Sequence, residues 1–148
     1  MAQNGAFRNI GGKTYILKPR DYTTTIPHLA GTAGQTNTST INIDPDAPFL
    51  LRRIYVSDTN DPTTAAPGMY GQYENLWLVQ DNSNNYQWQN QVVPRSEFAG
   101  TREMVRELED EVLINANTRF TITSQEPAAG AAGGTSQVSL CGYSLYLA

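Results

Sequence analysis

Apolar and polar residues alternate with a period of two along most of this 148-residue chain, and turn-forming residues recur at short intervals. Period two puts successive side chains on opposite faces of an extended strand. In "FRNIGGKTYIL", Gly11-Gly12 separates two alternating arms, the mark of a tight hairpin with a primed turn. "AGTAGQTNTST", residues 30 to 40, is small and polar with little to pack, and reads as a linker or extended arm. "STINID" follows, then the turn Asp44-Pro45-Asp46-Ala47-Pro48 and a strand running to Asp58. "DTNDPTTAAPG" is a long loop with two prolines. "ENLWLVQ" and "NYQWQNQVV" are strands around the "DNSNN" turn, each with one tryptophan, Trp77 and Trp88. "VPRSEFAG" and "EPAAGAAGGTSQ" are connections, while "TRFTITSQ" and the closing "VSLCGYSLYL" are strands.

A helix competes at one place. Val105, Leu108 and Val112 stand at i, i+3 and i+7. Strand is preferred for Glu111 to Asn115, and Arg102 to Asp110 stays open. Eight to ten short strands at 8 to 12 residue spacing predict an all-β protein, a jelly-roll-like β-sandwich. The division expected is an N-terminal arm with a short hairpin over residues 1–38 and a sandwich domain over 39–148.

"FLLRRIYV", Phe49 to Val56, breaks the rule of alternation. A regular strand would carry one arginine on each face, and one of them would be buried among aliphatic side chains. A β-bulge at Arg52-Arg53 removes the conflict: Phe49, Leu51, Ile54 and Val56 then face the core, and Leu50, Arg52, Arg53 and Tyr55 face outward. The other solution is a regular central strand whose arginines are neutralised by the acidic "ELEDE" run of the same or a neighbouring subunit.

Composition narrows the function. The length suits one domain with a real core, so neither disulfides nor structural metals are required. Cys141 is the sole cysteine and reads as a small packed hydrophobe. A net charge of −4 with scattered arginines argues against nucleic acid as a partner. "MAQNGAFRNIGG" lacks the features of a signal peptide and no run approaches a membrane span, so a soluble protein made in the cytoplasm is expected, with no membrane partner.

Candidate chemistry is sparse. His28, the sole histidine, lies in the proline-marked "TTTIPHLAG". Glu107, Glu109 and Glu111 would line one strand face with Asp110 between them, a spacing glycoside hydrolysis could use but one more typical of a solvated face or a protected edge. Asp81, Ser83 and Asn85 begin like a calcium loop, yet Tyr86 replaces the turn glycine and Val92 the bidentate glutamate. "GGTSQ" and "AAGAAGG" lack the lysine and helix of a phosphate loop. No catalytic, cofactor or metal residues are expected. Only 16% of residues are charged and eight are tyrosine, a composition that suits a contact surface.

In overall plan the sequence resembles the cement or decoration proteins of tailed-bacteriophage heads. The resemblance lies in the polar N-terminal arm followed by "IDPDAPFLLRRIYVSD", "EDEVLINANTRFTITSQ" and "VSLCGYSLYLA". It implies a jelly-roll-like protein, dimeric or trimeric, that binds the major capsid protein on the outer surface of the shell and reinforces it. Phe7, Ile10, Tyr15 and Ile16 are the expected anchors of the arm, and Leu50, Arg52, Arg53 and Tyr55 the expected patch of the domain. The alternatives are a tail- or fibre-type carbohydrate- or receptor-binding module with Trp77 and Trp88 as stacking platforms, and a glycan hydrolase using the glutamates.

Overall fold

The structure, a computed structural model, describes residues 6–28, 36–60, 76–82, 86–88, 91, 93–94, 107–125 and 134–148. Ten strands lie in them: β1 (Ala6–Ile10), β2 (Lys13–His28), β3 (Thr36–Asn42), β4 (Phe49–Asn60), β5 (Leu76–Asp81), β6 (Tyr86–Gln87), β7 (Val93–Pro94), β8 (Glu107–Ile114), β9 (Arg119–Gln125) and β10 (Gly134–Leu147). They form two antiparallel sheets, one in the order β1-β2-β10-β4-β8 and the other β3-β9-β5-β6, with β7 also pairing to β5. With β1 set aside as an added edge, the orders 2-10-4-8 and 3-9-5-6 are those of a jelly roll. The expected fold class is therefore the one observed.

Alternation makes the core. Along β9, Phe120, Ile122 and Ser124 are buried between half-exposed neighbours. Phe120 and Ile122 join Tyr22 and Ile26 of β2, Val138 and Leu140 of β10, and the apolar face of β4 in one cluster between the sheets. Tyr22 meets Phe49 edge-on at 5.0 Å, and Trp88 meets Phe120 the same way at 5.2 Å. Such aromatic pairs add about 0.5–1.5 kcal/mol beyond their burial.

The turns are set by local chemistry. Gly11 and Gly12 have φ of 59° and 79°, the doubly positive pair a primed two-residue turn requires. Asn117 takes φ 62° and donates its N–H to the Asp44 carbonyl at 3.1 Å. Ile43 N–H donates to the Thr118 carbonyl at 2.8 Å, so the β3–β4 and β8–β9 crossings are laced together.

Where they are described, residues 6–28 and 36–38 are not an arm but strands of the two sheets. β2 pairs with β10 along its length, from His28↔Gly134 to Tyr15↔Leu147, and supplies Leu17, Tyr22 and Ile26 to buried clusters. Residues 36–40 of the polar run read as a linker lie in the second sheet as part of β3, paired with β9 from Thr36↔Gln125 to Asn42↔Arg119. Threonine and serine on a strand edge satisfy the backbone ladder without needing a core. Of the segment left open between helix and strand, residues 107–110 are strand. Residues 102–106 lie outside the described residues, as do most of the loops expected around 58–68 and 126–133.

Candidate functional site

The break in "FLLRRIYV" is a bulge. Opposite β10, Ile54 pairs with Leu140 and Arg53 with Cys141, but Gly142 pairs with Leu51, leaving Arg52 as the extra residue. The phase of the strand changes there: Phe49, Leu51, Ile54 and Val56 are at most 3% exposed in the core, and the two arginines and Tyr55 are half-buried on the opposite face. Gly142 admits this geometry, because a Cβ there would lie 1.9 Å from the Leu50 carbonyl oxygen. On the other flank Leu51 pairs with Val112 and Arg53 with Glu107, so Leu108 to Glu111 stand opposite Arg52 alone.

The bulge is thus the solution the strand takes, not the regular strand, although Glu111 of the displaced acidic run does pair with Arg52. Arg52 Nε is 3.3 Å from Glu111 Oε1, and its Nη1 donates to the Tyr143 hydroxyl at 3.4 Å. Arg53 Nη1 donates to the Tyr55 hydroxyl at 3.2 Å. Glu111 also pairs with Arg8 of β1. These partly exposed pairs contribute up to about 1 kcal/mol each. Their larger effect is orientation, since they hold planar donors over a rigid sheet.

A second apolar cluster lies on this same outer face. Leu17, Leu50 and Leu145 are at most 7% exposed, with Ile10, Tyr15 and Tyr143 packed against them. The Arg8–Glu111 pair spans β1 and β8, the two edges of the five-stranded sheet, which curls strongly around the cluster. Ile10, Tyr15 and Leu50, expected as contact residues, are thus engaged inside the molecule. Phe7 and Ile16 lie on the sheet's opposite face, Phe7 64% exposed.

Beside the bulge is a depression of about 140 Å³ lined by Pro19, Asp21, both arginines, Cys141 and Tyr143. Asp21, Cys141 and Arg53 sit in a row across β2, β10 and β4. Cys141 is half-buried here and not part of the sandwich core. Burial, then the charge and hydrogen bond of Asp21, push its thiol up to about 12, with Arg53 opposing. The thiolate is the nucleophile, so this thiol is a poor one. Iodoacetamide is expected to label the folded protein slowly at pH 8, with a rate that keeps climbing above pH 9 where an ordinary thiol levels off, read by mass spectrometry. Rapid labelling at pH 8 that matches the urea-unfolded chain would show the thiol is not so held.

The other candidates disperse. Trp88 is packed on Phe120, and the side chains of Trp77, His28 and Glu107 lie outside the described residues, as do Ser83 and Asn85. Asp81 is buried and Glu109 and Asp110 are exposed. Among the described residues no three His, Cys, Asp or Glu converge as metal ligands, and no helix is long and apolar enough to cross a membrane. Asp21 and Tyr143 were not foreseen at the site, because they reach it only through pairings between residues more than ninety positions apart. No protein-family model, no curated protein and no solved structure matches this chain.

Proposed function

We propose that this protein is a non-enzymatic virion structural protein, a decoration protein that docks on the outer surface of an assembled capsid through the face carrying the β4 bulge. The observation that supports this most is the placement of Arg52 and Arg53 side by side on that face, each held by an aromatic hydroxyl. Arginine and tyrosine on a rigid sheet are the residue types that dominate protein contacts, and a guanidinium fork fits a carboxylate of the shell protein. The reading also draws on the resemblance in plan to phage decoration proteins, and on a fold that viral capsid domains share with lectins. Carboxylates outnumber lysine and arginine by 14 to 10, which favours a site outside a DNA-filled shell. A ligand that binds only the assembled shell stabilises it by mass action, without chemistry. The receptor-binding alternative wants paired tryptophan platforms, and Trp88 is packed against Phe120 instead.

The test is co-sedimentation with empty shells of the major capsid protein. Arg52→Ala combined with Arg53→Ala is expected to weaken binding by at least about tenfold, while the variant's own stability falls by no more than about 1 kcal/mol for each partly exposed pair removed. Unchanged co-sedimentation would remove the bulge from the contact.

A further inference from the structure

The depression beside the bulge has walls of opposite charge. Asp21 of β2 and Arg53 of β4 stand on either side of Cys141 in β10. Two strand spacings of about 4.8 Å set their backbones roughly 10 Å apart. The thiol between them stays protonated and adds no charge of its own. Arg52 enters the same space from the bulge. Pro19 and Tyr143, opposite one another in the β2–β10 ladder, supply ring surface.

These walls discriminate by charge. An anion would meet the Asp21 carboxylate, and a cation would meet two guanidinium groups. A purely apolar molecule would cut the charged groups off from water without replacing their hydrogen bonds. A neutral ring bearing several hydroxyls satisfies both sides, since each hydroxyl donates as well as accepts. It can donate to the carboxylate and accept from guanidinium N–H groups, and hydrogen bonds to charged partners are the stronger kind. The contacts with Glu111, Tyr143 and Tyr55 fix the planes of the two guanidinium groups before any ligand arrives. The C–H faces of the same ring would lie on Pro19 and Tyr143.

Size agrees with this chemistry. The depression measures about 140 Å³, close to the roughly 150 Å³ in which a cavity holds one benzene ring. Pro19 and Asp21 are both exposed, which leaves the entrance on their side open to solvent. We infer that this depression binds one neutral pyranose, the terminal residue of a glycan, with Asp21 accepting from its hydroxyls and Arg52 and Arg53 donating to them. The rest of the glycan would extend past Pro19 into solvent. The site uses neither tryptophan. It does not rest on shell docking, although a sugar seated here and a shell docked over the bulge would exclude each other.

The experiment uses the purified full chain without shells. Methyl glycosides of glucose, mannose, galactose and N-acetylglucosamine are titrated in, with disaccharides that end in the same sugars, and amide signals are followed by NMR. At least one glycoside is expected to shift the amides of Asp21, Cys141 and Gly142 saturably, with a dissociation constant on the order of 1 mM, the range for so small a ligand. The disaccharide ending in that sugar should bind at least as tightly. The same glycoside should slow labelling of Cys141 by iodoacetamide, because the thiol lines the site. Asp21→Ala, at an exposed position, should weaken binding by at least about tenfold with an unchanged melting temperature. If that variant is less stable, Cys141→Leu, which fills the space the ring would take, replaces it. Absence of binding by every glycoside would overturn the inference, as would undiminished binding by the variant. Acetate or methylammonium shifting these amides more than any sugar would overturn it too, and so would a disaccharide that fails to bind where its methyl glycoside does.

Discussion

Removal of residues 1–38 is expected to unfold this protein. β2 is the hydrogen-bonded neighbour of β10 from Gly134↔His28 to Leu147↔Tyr15. With it would go Leu17, Tyr22 and Ile26, each at most 7% exposed. Emptying one such site costs about 2–5 kcal/mol. Three together approach or exceed a whole domain's stability of roughly 5–15 kcal/mol. Far-UV circular dichroism of the 39–148 fragment should show no cooperative urea transition. Deletion of residues 1–12 is the instructive control. It removes β1 and the Ile10 contact with the outer cluster but leaves the β2–β10 ladder, and it should yield a folded, less stable protein. A 39–148 fragment that unfolds cooperatively at nearly the parent's midpoint would mean that β2 is dispensable.

Gly142→Ala is expected to have the largest effect of any single methyl group. The added Cβ would meet only backbone: the Leu50 carbonyl oxygen at 1.9 Å, its carbon at 2.9 Å and Leu51 Cα at 3.2 Å. No rotamer change relieves that, so β4 must move away from β10 at the bulge. Overpacking costs about 1–3 kcal/mol where side chains can yield, and more where they cannot. We expect a loss of at least about 3 kcal/mol, which at roughly 2–4 °C per kcal/mol lowers the melting temperature by about 6–12 °C. The shift is measured by calorimetry. A change within about 2 °C would show that the two strands are not so close, at the scale of ordinary surface substitutions.

The sequence was most legible where a local rule was broken or obeyed by neighbouring residues. Gly11-Gly12 announced its own turn, and the phase slip of "FLLRRIYV" announced the bulge, because a charge cannot alternate into an apolar core. The misreading of the N-terminal third has two physical sources. Proline is excluded from the interior of a sheet, yet β1 pairs only as far as Leu17, so Pro19 and Pro27 sit where β2 has a hydrogen-bonded partner on one side. The threonine-rich β3 is polar along its first five residues and offered no apolar face to recognise. The depression beside the bulge was illegible for another reason. Asp21, Cys141 and Arg53 become neighbours only through strand register, and register across most of a chain leaves no local trace.

The central place of β10 has a consequence for how the chain acquires its structure. β2 and β4 flank β10 and do not pair with each other, so neither gains its principal neighbour until residues 134–147 are available. Pairings this distant in sequence pay their loop-closure entropy before any contact rewards it, and proteins dominated by them fold slowly, in milliseconds to seconds. At a synthesis rate of about 5–20 residues per second, the apolar strands β2 and β4 wait on the order of seconds for the strand that joins them. Over that interval they are open to pairing with other chains, which places the chief aggregation hazard of this protein in its own biosynthesis.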